Sequence, residues 1–168
     1  QDVLVALKLQ AMGGRPWSYA ALAIELGLSP SQLHAAVKRA LAARLLVRRG
    51  EAIVAQARNL GEFLIHGLKY AFVPEMGELT RGMPTTHAAP PLNSHFVSSN
   101  EPPPVWPDAE GEVRGQSFSP LCKSAPQAAR RDPGLYELLV LVDAIRGGRA
   151  HEQEIAIREL RGRLESDA

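Results

Sequence analysis

A chain of 168 residues, 45% of them hydrophobic, is long enough to bury a real core, as one domain with an extension or as two small ones. Its one cysteine, Cys122, rules out an internal disulfide or a cysteine-clustered zinc site. No apolar run nears the roughly 18 residues of a membrane span and the N-terminus lacks the form of a secretory signal, so a cytoplasmic location is expected. The net charge of +1 conceals an asymmetry: residues 1–72 carry nine lysines and arginines against four acids, the remainder ten against fourteen. A basic front suits a polyanion and an acidic rear suits protein contacts.

A first helix is expected from almost the first residue. Ser18 then caps a second, whose Leu22, Ala23 and Leu26 share one face and whose exit is the sharp turn at Gly27. Ser29, Pro30 and Gln32 open a third: the serine caps, the proline takes the first helical position and the glutamine reaches back to the cap amide. The apolar stripe of that helix is Leu33, Val37, Ala40 and Leu41, which leaves Ser31, Gln32, His34, Ala35, Lys38 and Arg39 free of core duty. Small side chains at its front allow close approach to a groove, Gln32 can pair with an adenine edge, and Lys38 and Arg39 can reach guanine or phosphate. The same polar face also suits an ordinary solvated helix. No acid interrupts the run from Gln32 to Arg49, which tilts the choice toward DNA.

Leu45, Leu46 and Val47 before a turn, and Ile53 and Val54 after it, predict two short strands with Arg48, Arg49, Gly50 and Glu51 at the tip. Alone this would be a surface hairpin solvated by its arginines. Beside a helix set into the major groove it becomes a wing, with Arg48 and Arg49 over the adjacent backbone or minor groove.

Residues 57–73 repeat apolar side chains at Leu60, Phe63, Leu64, Leu68 and Ala71, an amphipathic helix in which His66 is expected to pack among apolar neighbours. Residues 74–133 hold eleven of the thirteen prolines and no periodic pattern, so an irregular, proline-rich extension is expected. It is anchored by Val105, Trp106, Phe118 and Leu121 and wraps its own front half, a second copy or another protein. Asp132 and Pro133 start a helix striped by Leu135, Leu138, Leu139, Val142 and Ile145. Gly147 and Gly148 close it, and a last helix over 149–164 carries Ile157, Leu160 and Leu164, with Glu154 and Arg158 spaced for an ion pair. This C-terminal helical hairpin either completes the core or forms a subunit contact.

The run SYAALAIELGLSPSQLHAAVKRALAARLLVRRG resembles the winged helix-turn-helix domain of MarR-like bacterial transcription regulators, over residues 2–57 and about a third of the chain. The match lies in Ala23, Gly27, Leu28, Ser29, Ser31, Leu33, Val37 and Leu41. The resemblance implies that Ser29 to Arg39 form a recognition helix and that Arg48 and Arg49 belong to a wing. The candidate DNA contacts are Ser18, Ser29, Ser31, Gln32, His34, Ala35, Lys38, Arg39, Arg48 and Arg49. Two departures stand out. Arg44 occupies the place just before the wing where such domains usually carry glycine, which implies a different helix exit or local strain, and the first helix is expected almost at residue 1, where MarR proteins carry a dimerising helix ahead of the domain.

The fold expected is therefore mainly α with a small β-hairpin wing: a winged helix-turn-helix over 1–73, a proline-rich segment over 74–133 and a helical hairpin over 134–168. The function expected is a sequence-specific repressor that binds double-stranded DNA as a homodimer without a cofactor. A winged-helix protein-interaction module is the alternative, as is an antitoxin-like regulator whose residues 74–168 hold a protein partner. Catalysis is not expected: the five histidines make no H-E-x-x-H, no serine sits in G-x-S-x-G, and no phosphate-binding glycine loop exists. Thr85, Thr86 and His87 are the best catalytic candidates that remain.

Overall fold

The local signals at the front of the chain act as read. In the computed structural model, which describes residues 1–166, α1 (Asp2–Met12) precedes α2 (Tyr19–Leu26) and α3 (Pro30–Ala42). Ser18 Oγ accepts the Ala21 amide, and α2 leaves through Gly27 at φ +66, a left-handed turn in which Gly27 N donates to Ile24 O and Leu28 N to Ala23 O. The Ser29–Gln32 capping box is complete in both directions, at 3.1 and 2.9 Å. The core stripe of α3 is Leu33, Ala36, Val37 and Ala40, with Leu41 only half-buried.

The exit of α3 explains the arginine that stands where glycine was expected. Arg44 N donates to Leu41 O and Leu45 N to Ala40 O, a Schellman closure that requires a left-handed residue, and Arg44 supplies it at φ +63. Asn59 Nδ2 donates to the Arg44 carbonyl and helps hold the strained turn. An L side chain in that conformation is disfavoured by roughly 1 kcal/mol or more. Arg44→Gly is therefore expected to raise stability by about 0.5–1 kcal/mol after the extra freedom of the unfolded glycine is discounted, read as a higher urea midpoint. A lower midpoint would show that the arginine stem packs usefully.

A hairpin follows, β1 (Leu46–Arg49) against β2 (Ala52–Ala55), joined by Gly50 at φ +64 and Glu51. The expected amphipathic helix is α4 (Ala57–Glu62) and α5 (Leu68–Ala71), joined by a π turn over Phe63–Gly67. The wide turn brings Ile65 into the core beside Leu60, Leu64 and Leu68, while His66, expected to pack inside, faces solvent.

Residues 74–133 are not irregular throughout. They form β3 (Met76–Pro84), β4 (Pro104–Pro107), β5 (Val113–Phe118), two 3₁₀ turns and α6 (Ala125–Arg131). β3 pairs antiparallel with both β4 and β5, and β4 pairs parallel with β5, so three strands close on themselves. Glycine makes the closure possible. A Cβ on Gly82 would lie 2.0 Å from Trp106 O, and one on Gly115 would lie 2.0 Å from Pro103 O. Val105, Trp106 and Phe118 are buried as expected, and Leu121 is half-buried.

α7 (Pro133–Gly147) and α8 (Ala150–Ser166) make the expected helical pair. Asp132 caps α7 by accepting the Gly134 and Leu135 amides. Ten of its fifteen residues are buried, so α7 is a central helix rather than a surface stripe, touching α1, α6 and α8. The expected Glu154–Arg158 pair does not form; Glu154 lies 4.0 Å from His151 instead.

Two buried charges inside α7 tie the small sheet to the helices. Asp143 accepts from Thr85 Oγ1 at 2.6 Å, Trp106 Nε1 at 2.7 Å and Arg146 Nε at 2.9 Å. Arg146 also donates to the carbonyls of Phe72 and Ser119. Burial pushes the Asp143 carboxyl up, against the pull of the Arg146 charge and the three hydrogen bonds. At the front, Lys8 in α1 bonds to Asp132 at 2.7 Å and lies 3.4 Å from Glu25. Partial burial works to raise the Asp132 carboxyl, yet the Lys8 ammonium and the two capped amides hold it below its usual value. Among the described residues, no helix is long and apolar enough to cross a membrane.

Candidate nucleic-acid interface

α3 packs chiefly against α1, α2 and β1, and its polar side is left open. Ser31, Gln32, His34, Lys38 and Arg39 are exposed and Ala35 is half-buried, so neither the middle segment nor the C-terminal helices cover the face read as a reader. The side chains on it are not equally free. Ser18 and Ser29 spend their hydroxyl oxygens on caps, and Ser31 Oγ lies 3.2 Å from Ser29 Oγ. Gln32 Oε1 is held by the Ser29 amide, which leaves only the NH2 of that side chain for a partner.

Arg39 departs from its expected role. Its guanidinium makes three hydrogen bonds of 2.8–3.1 Å to the Asp2 carboxylate, which holds Arg39 above its ordinary value. The stretch from Gln32 to Arg49 has no acid in sequence, but the start of α1 brings one in space. Among the described residues, Lys38, Arg44, Arg48 and Arg49 stand without an acidic partner within 4.0 Å.

Arg48 and Arg49 lie in β1 rather than at the loop tip. Strand alternation puts Arg48 on the face of Leu46 and Ile53, and Arg49 on the face of Val47 and Val54. The two arginines therefore project from opposite sides of the hairpin, and one of them at most follows any single rail.

A set of aromatic contacts that sequence reasoning missed fixes His34. Its ring stacks on Tyr19 with centroids 3.7 Å apart and planes 9° from parallel. Tyr19 meets Trp17 edge-on at 4.9 Å, and Trp17 Nε1 donates to Ile53 O in β2 at 3.1 Å. The start of α2, the second turn of α3 and the hairpin are thus joined through three rings. Tyr19 and Trp17 sit fifteen and seventeen residues before His34, and no spacing rule pairs them.

The candidate catalytic residues take structural partners. Thr85 is buried on Asp143; Thr86 is buried at φ +52 with its hydroxyl 3.3 Å from His87 Nδ1. Glu152 Oε2 lies 3.1 Å from that same nitrogen. A relay needs its two partners on opposite ring nitrogens, and here both converge on Nδ1. Among the described residues no cluster of three or more His, Cys, Asp or Glu side chains is placed to hold a metal. No family model matches the chain, and no curated protein or solved structure matches it either.

Proposed function

We propose that this protein is a sequence-specific DNA-binding regulator of transcription, acting as a homodimeric repressor of the winged helix-turn-helix kind. In this reading α3 enters the major groove and the β1–β2 hairpin lies along the adjacent backbone as the wing. Two copies would set their α3 helices about 34 Å apart, one duplex turn. The observation that carries the reading is the uncovered polar face of α3, followed at once by the unpaired cations Arg44, Arg48 and Arg49.

Anisotropy of a labelled random duplex across a salt series tests it. Affinity is expected to fall with a log–log slope of about −0.9 per phosphate neutralised. The double variant Arg48→Glu, Arg49→Glu is expected to flatten that slope by about 1, since one arginine of the two follows the rail. No binding at low salt, or a slope unmoved by the double variant, overturns the assignment.

The protein-interaction reading draws on a different observation. Tyr70, Val73, Met76 and Leu79, each more than half exposed, follow one another along the chain from the end of α5 into β3. On that reading the protein retains partners through these side chains and ignores duplex in the same titration.

A further inference from the structure

We infer that His34 is the side chain of α3 that reads a base, that the base is a guanine presented in the major groove, and that Tyr19 is its positioning residue; this rests on the DNA-binding reading above. Three polar neighbours of His34 are each restricted, although the NH2 of Gln32 stays free to donate. Gln32 would need both its carbonyl and its NH2 for an adenine edge, and the carbonyl is committed to Ser29 N, so the contact would break the capping box. Arg39 is neutralised on Asp2. Lys38 is exposed, but a flexible stem ending in a point charge suits phosphate better than a base edge.

His34 has what these lack. It is exposed, makes no hydrogen bond through either ring nitrogen among the described residues, and sits in the second turn of α3, the end that reading helices present to bases. Stacking on Tyr19, itself braced by Trp17, holds the imidazole plane before any ligand arrives, so little rotamer freedom is lost on binding. An imidazole carries an N–H donor on its rim whichever nitrogen bears the proton. Guanine offers two adjacent acceptors, N7 and O6, whereas adenine sets a donor beside its N7 and cytosine offers only a donor, so a single fixed N–H favours guanine.

The test selects bound sites from a random duplex library with the full chain and with His34→Ala, Tyr19→Ala and Tyr19→Phe. The recovered site is then rebuilt with 7-deazaguanine in place of each guanine in turn, which removes N7 alone. The full chain is expected to lose about tenfold in affinity at one guanine per half-site, and His34→Ala to be indifferent to the replacement there. Tyr19→Phe keeps the stacking face and the preference. Tyr19→Ala loses the preference while its salt slope on random duplex stays unchanged. His34→Ala lies on the surface and folds, so it decides the matter even if Tyr19→Ala does not fold. Undiminished guanine preference in His34→Ala overturns the inference while leaving the DNA-binding reading intact. Absence of any duplex binding by the full chain overturns both.

Discussion

Asp143→Ala is expected to remove about 3–5 kcal/mol of stability, the range found when one partner of a buried ion pair is deleted. The Arg146 side chain is only 2% exposed, so without Asp143 its guanidinium keeps the Phe72 and Ser119 carbonyls but no counter-charge. Thr85 Oγ1 and Trp106 Nε1 lose their acceptor in the same step. Against a typical total of 5–15 kcal/mol, such a loss leaves a marginal fold. The measurement is the urea midpoint at unchanged slope. The double variant Asp143→Leu, Arg146→Met should recover much of the loss, because apolar side chains of similar volume often replace a buried pair without penalty. A loss below about 1 kcal/mol would mean that Asp143 is protonated in the fold and that Arg146 is held by the two carbonyls alone.

Gly82→Ala should be nearly as severe, at about 3 kcal/mol or more, as overpacking against backbone that cannot yield. The added methyl would stand 2.0 Å from Trp106 O and 2.8 Å from its carbonyl carbon, so β3 and β4 must part and Trp106 must leave its seat. In a Trp17→Phe background the fluorescence of Trp106 alone reports this: a red-shifted spectrum and a lower urea midpoint are expected. Gly162→Ala in α8, where an added Cβ meets nothing within 4 Å, is the control and should gain up to about 1 kcal/mol from helix propensity. Unperturbed Trp106 emission in Gly82→Ala would show that the three strands have slack.

The parts of this fold that could be read from the sequence are those whose causes lie within a few residues. Ser29, Pro30 and Gln32 specify a helix start because the interactions span three residues, and the cap at Asp132 is legible for the same reason. Arg44 was legible too, as the place where a helix exit needs a left-handed residue. β3 to β5 were hidden because each strand buries at most two residues, Gly82 alone in β3, too few for alternation to register. The pairing of β3 joins residues 21 to 42 positions apart across glycine contacts. The exposed polar face of α3 was legible as a face but not in its details. Arg39 meets Asp2 from 37 residues away, and His34 meets Tyr19 across the turn. A further signal lies in the sequence: Asp143 and Arg146 are opposite charges three apart at the end of the apolar run that starts at Leu138, the pattern of a buried pair.

Lys8 carries a consequence for how this molecule can be taken apart. Its ammonium stands between Asp132 at the threshold of α7 and Glu25 near the close of α2. α1, with eight consecutive buried side chains from Val3 to Gln10, takes part of its roof from α7. Cut the chain after residue 73 and the cation keeps Glu25 but loses Asp132, while the side of α1 that α7 roofs lies open to water. The front half is no cassette that can be lifted out, and whatever prises α7 away loosens it instead of setting it free.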